Sequence, residues 1–470
     1  MIELKIDFSR TIRPWDGFGV NYVEVSMTPD YSVQPQDYGG FSTLSEGKRQ
    51  EIIEMIFGED GLKPGIVKMF FDPFQQREDR RNGPGLGELD LSNYDHETTT
   101  RWMRYFVREG LKRTRARGGD LSIITTLYGP PGWMTKQRFV RGRDFDPACE
   151  LELAKYYVAW VKYLRDVEKF PVHYVSLHNE GEDFVRWPED GASANWEHGH
   201  DYNMWWPPEL VVRMVKRLRQ ALDVQGLQEV GVTPGETTDW FRFVEWGYAA
   251  ALADDDEAMR ALGLVTSHGF ISNWKRWVGD HRSTGIDLLH EKRPDLHCWT
   301  TSTSWKQMDV QFLRDYRDSI YAAKNNAVIP WACIQYPVQW KKGDPNPGCA
   351  FKVDGQGGYS VEPGYHFYKQ MCRAGQPGMA VARVISNDTQ LLLAAFAANG
   401  TGHPHAFVLL NTAAEAKRAT IRIAGSNASR FAAWRTSPQE QYAPLGELPF
   451  REGAASYEAP AGSATTFFAV

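Results

Sequence analysis

Along the first three-quarters of the chain, short apolar runs alternate with longer stretches whose apolar residues recur at helical spacing. The runs fall at residues 17–22, 66–71, 121–127, 173–177, 229–233, 264–268, 296–301 and 328–335, each leading into polar or Gly-rich sequence. Helical spacing is read over 49–56, 98–117, 149–167, 208–224, 255–262 and 310–324. In 208–224 the residues Leu210, Val211, Met214, Val215, Leu218, Ala221 and Leu222 share one face, and Pro208 opens the helix where its missing N–H costs nothing. Alternation of strand and helix requires a parallel sheet. Eight repeats, with no G-x-G-x-x-G or phosphate-loop motif after any strand, predict an α/β fold closed as a (β/α)8 TIM barrel.

Beyond residue 362 the pattern changes to short strands broken by Gly, Asn and Pro, at 380–386, 390–397, 405–411, 419–423, 430–434 and 465–470. Such spacing predicts a β-sandwich. Residues 2–8 alternate polar and apolar and are expected to join it, so that residues 1–8 and 362–470 form one domain and 9–361 the barrel.

A chain of 470 residues, 42% hydrophobic, can bury both cores. Its net charge of −6 provides no basic footprint for nucleic acid, and no run of about 18 apolar residues exists to span a membrane. The 17 Trp point to a carbohydrate partner, because sugar rings offer apolar faces that stack on indoles. The opening residues lack the basic, apolar, small-residue order of an export signal, so a cytoplasmic location is expected. Cys149, Cys298, Cys333, Cys349 and Cys372 are odd in number and widely spaced, and are read as buried thiols of a reducing compartment. Neither metal nor cofactor is expected, and nothing selects an oligomeric state.

The run after Pro171 ends in His178-Asn-Glu-Gly-Glu182. A strand that finishes by presenting a carboxylate is what a (β/α)8 barrel does at its catalytic face. Glu180 beside Asn179 suits sugar chemistry, since an acid must protonate a glycosidic oxygen while an amide holds a neighbouring hydroxyl. Several ordered motifs then bring a family into view. They are Asp16-Gly-Phe-Gly19, Tyr128-Gly-Pro-Pro-Gly-Trp-Met134, Leu177-His-Asn-Glu180, Pro234-Gly-Glu236, Ser267-His268 and Trp299-Thr-Thr301. In order and strand position they resemble clan A of the glycoside hydrolases, and most of all family 30. The resemblance implies a retaining β-glycosidase with Glu180 as general acid/base and Asn179 donating to the sugar 2-hydroxyl. Trp133 and Trp340 are expected as stacking platforms, Glu236 and His268 as hydroxyl binders or orienting groups, and Asp72 as a substrate contact where the family tends to carry Arg. Trp187, Trp196, Trp205, Trp206, Trp274 and Trp277 lie in long inserts expected to wall the barrel mouth, which favours exo action or short oligosaccharides.

One departure stands out. Where family 30 ends its seventh strand in Trp-x-Thr-Glu or Trp-x-Ser-Glu, this chain reads Trp299-Thr-Thr-Ser302. A serine has no charge to stabilise an oxocarbenium ion, so the chain as written is expected to hydrolyse glycosides poorly. Three explanations stand open: a deliberate Glu→Ser substitution, which the intact surroundings favour; a natural enzyme using another carboxylate, such as Glu236 or Glu182; or a carbohydrate-binding barrel without catalysis.

Overall fold

The computed structural model describes residues 2–192, 201–270, 284–340 and 346–470. Eight parallel strands form the barrel: Gly17–Asn21, Ile66–Phe71, Ser122–Leu127, Val172–Ser176, the split fifth strand, Val265–Ser267, Cys298–Thr303 and Ala327–Pro330. The fifth strand breaks at Pro234-Gly235. Its first part, Gly231–Thr233, pairs with strand four, and its second, Glu236–Thr237, pairs with strand six. The ring therefore closes through an interrupted strand.

The helices fall where their apolar spacing put them: Glu46–Phe57, Arg101–Ala116, Glu150–Lys162 with a π-helical turn to Val167, Pro208–Val224, Asp256–Ala261 and Val310–Tyr321. Short helices Trp240–Glu245, Tyr248–Asp254 and Thr284–His290 complete the outer layer and were not anticipated. All five cysteines are free and buried.

The second unit is a nine-stranded sheet folded into a sandwich. The N-terminal strand runs from Ile2 to Pro14, past the expected end at Phe8. It sits inside this sheet, antiparallel to Ala380–Ser386 and parallel to Lys417–Ala424. Strands Glu440–Pro449 and Ala454–Ala459 extend the set read from the sequence and form its two edges.

The central strands read as continuous apolar runs because both faces are buried. Leu391, Leu393, Phe407 and Leu409 fill the sandwich, whereas Ala394, Phe396, Val408 and Leu410 pack on the barrel side. A helix that the strand-like texture had hidden, Pro363–Ala374, lies between barrel and sheet; its Gln370 bonds Thr466 and Thr436. Among the described residues no helix is long and apolar enough to cross a membrane.

Candidate active site

The barrel interior changes character from one end to the other. Near the strand starts Ile66, Ile124, Leu264, Trp299, Ala327 and Ile329 form an apolar plug. Side chains alternate along a strand, so the next inward layer comes two residues later. There it is polar: Lys68, Thr126, Ser176 and Thr266, all fully buried. On strand seven three residues span what two span on strand eight, between Thr300 and Thr303. This bulge turns Ser302 into the barrel.

Above the polar layer runs a hydrogen-bonded chain. His268 places Nδ1 2.9 Å from Glu180 Oε1 and Nε2 3.0 Å from Glu236 Oε2. Thr126 donates to Glu236 Oε1 at 2.6 Å, and Lys68 Nζ bonds Glu236 Oε2 and donates to Ser302 Oγ at 2.9 Å. Ser302 Oγ donates to its neighbour's carbonyl, Thr301 O, at 2.5 Å.

Charges in this dry setting are mutually enforced. Burial pushes the Glu236 carboxyl up, but Lys68 and His268 outweigh it and hold its pKa down to about 2. Burial works against a charged His268, yet its bonds to Glu180 and Glu236 raise it above the ordinary imidazole value. Lys68 is lowered by burial, against the pull of Glu236. Glu180 itself has φ 41°, a left-handed conformation, and its N–H donates to Glu236 O at 2.7 Å. Backbone strain of this kind concentrates at functional sites.

Glu180, Asn179, His268, Ser302 and Trp340 line one cavity, together with Tyr128, Asp201 and Trp331. Its volume is about 20 Å³. That is room for about one water, so a sugar ring enters only if side chains move. Asn179 Nδ2 donates to Asn203 Oδ1 at 2.9 Å and lies 3.4 Å from Asp201 Oδ2.

Other residues singled out from the sequence sit elsewhere. Glu236 lies beneath the cavity and does not line it. Glu182 is buried, accepting from Thr238 N and Arg242. Asp72 is occupied by Phe74 N, Gln75 and Thr99. Trp133 lies outside the lining, with Arg81 4.6 Å over its ring. Trp187 and Trp206 are buried, Trp206 stacking on His178, and Trp205 packs with Phe184. Trp196, Trp274 and Trp277 fall outside the described residues.

Three participants were not foreseen: Lys68, Asp201 and Trp331. A lone lysine within Ile66-Val-Lys-Met-Phe-Phe71 was the available signal for the first. Among the described residues no group of three His, Cys, Asp or Glu is placed to hold a metal.

No known family model and no curated protein matches the chain. Solved structures do. A family 30 subfamily 8 xylanase from Clostridium acetobutylicum is 15% identical, with TM-score 0.71, over 99% of this chain and 98% of that one. The catalytic domain of a family 30 xylanase C from Talaromyces cellulolyticus is 14% identical, with TM-score 0.70 and full coverage of both chains. An endo-β-1,6-glucanase is 14% identical, with TM-score 0.70, over 100% of this chain and 94% of that one. The chain thus has the barrel-plus-β-sandwich fold of solved family 30 glycoside hydrolases.

Proposed function

We propose that the chain is a β-glycoside-processing barrel of family 30 type, with Glu180 as proton donor and Ser302 at the position of the second carboxylate. The observation that carries this reading is the convergence of Glu180, Asn179, His268 and Ser302 on one cavity at the C-terminal end of the barrel. Glu180 protonates the leaving oxygen, and His268, 2.9 Å away, keeps a proton in reach. A sugar hydroxyl replaces the long Asn179–Asp201 contact. In the same cavity Ser302 offers no charge to the oxocarbenium ion, so the chain as it stands binds better than it hydrolyses.

The test is Ser302→Glu, assayed on aryl β-glycosides and defined β-linked oligosaccharides. The introduced carboxylate would meet Lys68 and share it with Glu236. Hydrolysis with retention should rise by several powers of ten, and Glu180→Gln in that background should lower it ~10²–10⁴-fold. No gain from Ser302→Glu would sink the assignment of position 302.

A second reading has a specific support. Asp201 lines the same cavity as Glu180, whereas Glu236 and Glu182 do not. If Asp201 is the second carboxylate, the unaltered chain already hydrolyses and Asp201→Asn abolishes it.

A further inference from the structure

A second concave site lies at the opposite end of the barrel, where the strands begin. It encloses about 500 Å³ between the turn after helix Glu46–Phe57, helix Pro363–Ala374 and the sandwich. Four cations reach it, Lys63, Arg117, Lys369 and Arg373, against the carboxylates of Glu59 and Asp60. Glu59 is paired with Lys63.

Helix Glu46–Phe57 explains why the cations gather. Arg117 donates to Phe57 O, Arg373 to Glu59 O at 2.8 Å, and Lys369 to Asp60 O, all carbonyls at the negative end of the helix or in the turn beyond. These bonds fix the cations without neutralising them. None of Arg117, Lys369 and Arg373 makes a contact ion pair with a carboxylate among the described residues; Glu59 acts on Arg117 and Asp60 on Lys369 through space only. Nearby His403 is lowered by burial and by Lys63 and Arg117, as a positive field requires.

The opposite wall is aromatic. Trp434 and Tyr442 stack at 6.2 Å and 18°, both partly exposed, on paired strands of the sandwich. Tyr442 has φ 52°, and Lys369 Nζ lies 4.7 Å over its ring. An indole face beside a surplus of guanidinium and ammonium groups is the chemistry that receives a sugar ring bearing an anionic substituent.

We propose that this cleft binds an anionic saccharide, a uronic acid or a sugar phosphate, with its ring against Trp434 and its charge on Arg373, Arg117 and Lys369. The site is independent of the chemistry at Glu180.

The test is titration calorimetry with Trp fluorescence on the full chain, using D-glucuronate, glucose 6-phosphate, glucose, inorganic phosphate and adenosine monophosphate. Glucuronate or glucose 6-phosphate should bind with a fluorescence change at millimolar concentration, and more weakly as salt rises; which of the two binds more tightly identifies the anion. Arg373→Gln and Trp434→Ala should each weaken that binding about tenfold or more.

Lys369 faces Arg373, Lys63, Asp60 and the rings of Tyr365 and Tyr442, and burial holds it down to about 8. Binding should therefore weaken above that pH, and Lys369→Arg should remove the weakening. The proposal is overturned if glucose binds as well as the acids, if phosphate alone binds and Trp434→Ala is silent, if the nucleotide binds most tightly, or if nothing binds.

Discussion

Removing Lys68 would strip Glu236 of its larger counter-charge inside the barrel and leave it His268 alone. Lys68→Met is expected to cost ~3–5 kcal/mol, read as a fall in melting temperature at neutral pH. The pH dependence follows from the same group. Glu236 is held near 2 against an ordinary 4.5, so its contribution is complete above about pH 4.5 and is lost as pH falls towards 2. His268 is raised, so its contribution is complete below the ordinary imidazole value and is lost as pH climbs through the higher folded one. Melting temperature against pH should thus fall on both sides, and Lys68→Met should flatten the acid side. An acid limb of undiminished slope in that variant would show that Lys68 does not hold Glu236 down.

At this scale the sequence was legible where a residue ended a strand. Asn179-Glu180 and His268 could be placed because periodicity stopped at them. Asp201 could not, since it sits in a long insert with no period to give it an address. Trp133 was visible as an aromatic on a turn, but the Arg81 that covers its ring is 52 positions away, a pairing only the fold supplies.

Among the elements, the broken fifth strand aims the centre. Gly235 has φ 104°, and a Cβ there would lie 2.2 Å from the His178 ring, which is stacked on Trp206. Gly235→Ala should therefore destabilise the fold by at least the ~1–3 kcal/mol of backbone strain. In the Ser302→Glu background it should also lower kcat, because Glu236 follows directly and bonds the Glu180 amide. Wild-type melting and turnover together would remove the fifth strand from this role.

Helix Pro208–Val224 was readable to the residue because one face is buried and the other wet. Helix Pro363–Ala374 was not. It has a polar face, His366, Lys369 and Arg373, opposite the buried Tyr365, Phe367, Tyr368, Met371 and Cys372, but the β-prone run Tyr365–Tyr368 after a Pro-Gly pair gives it the texture of a strand.

For the molecule as a whole, the two units share one packing surface. Trp15 and Phe18 of the barrel meet Phe396 of the sheet at 5.2 and 6.0 Å, and the cluster that fills the barrel wall continues into the sheet's inner face. Deleting residues 2–14 should therefore do more than lose a strand. It removes the pairing partner of Ala380–Ser386 and Lys417–Ala424 together, and the protein should melt at lower temperature in two transitions instead of one, which calorimetry would reveal. An unaltered single transition would mean that the sheet heals without it.

The position of that strand also sets a timetable. Ile2–Pro14 leaves the ribosome before any segment it pairs with, and Lys417–Ala424 follows some 400 residues later. At roughly 5–20 residues per second the wait is about 20–80 s. Leu4, Ile6 and Phe8, destined for the sandwich interior, stay uncovered throughout, while every barrel strand has already emerged. In a cell the barrel is thus free to close early and the sheet is completed last, and that interval is when a nascent chain needs shielding from its neighbours on the polysome.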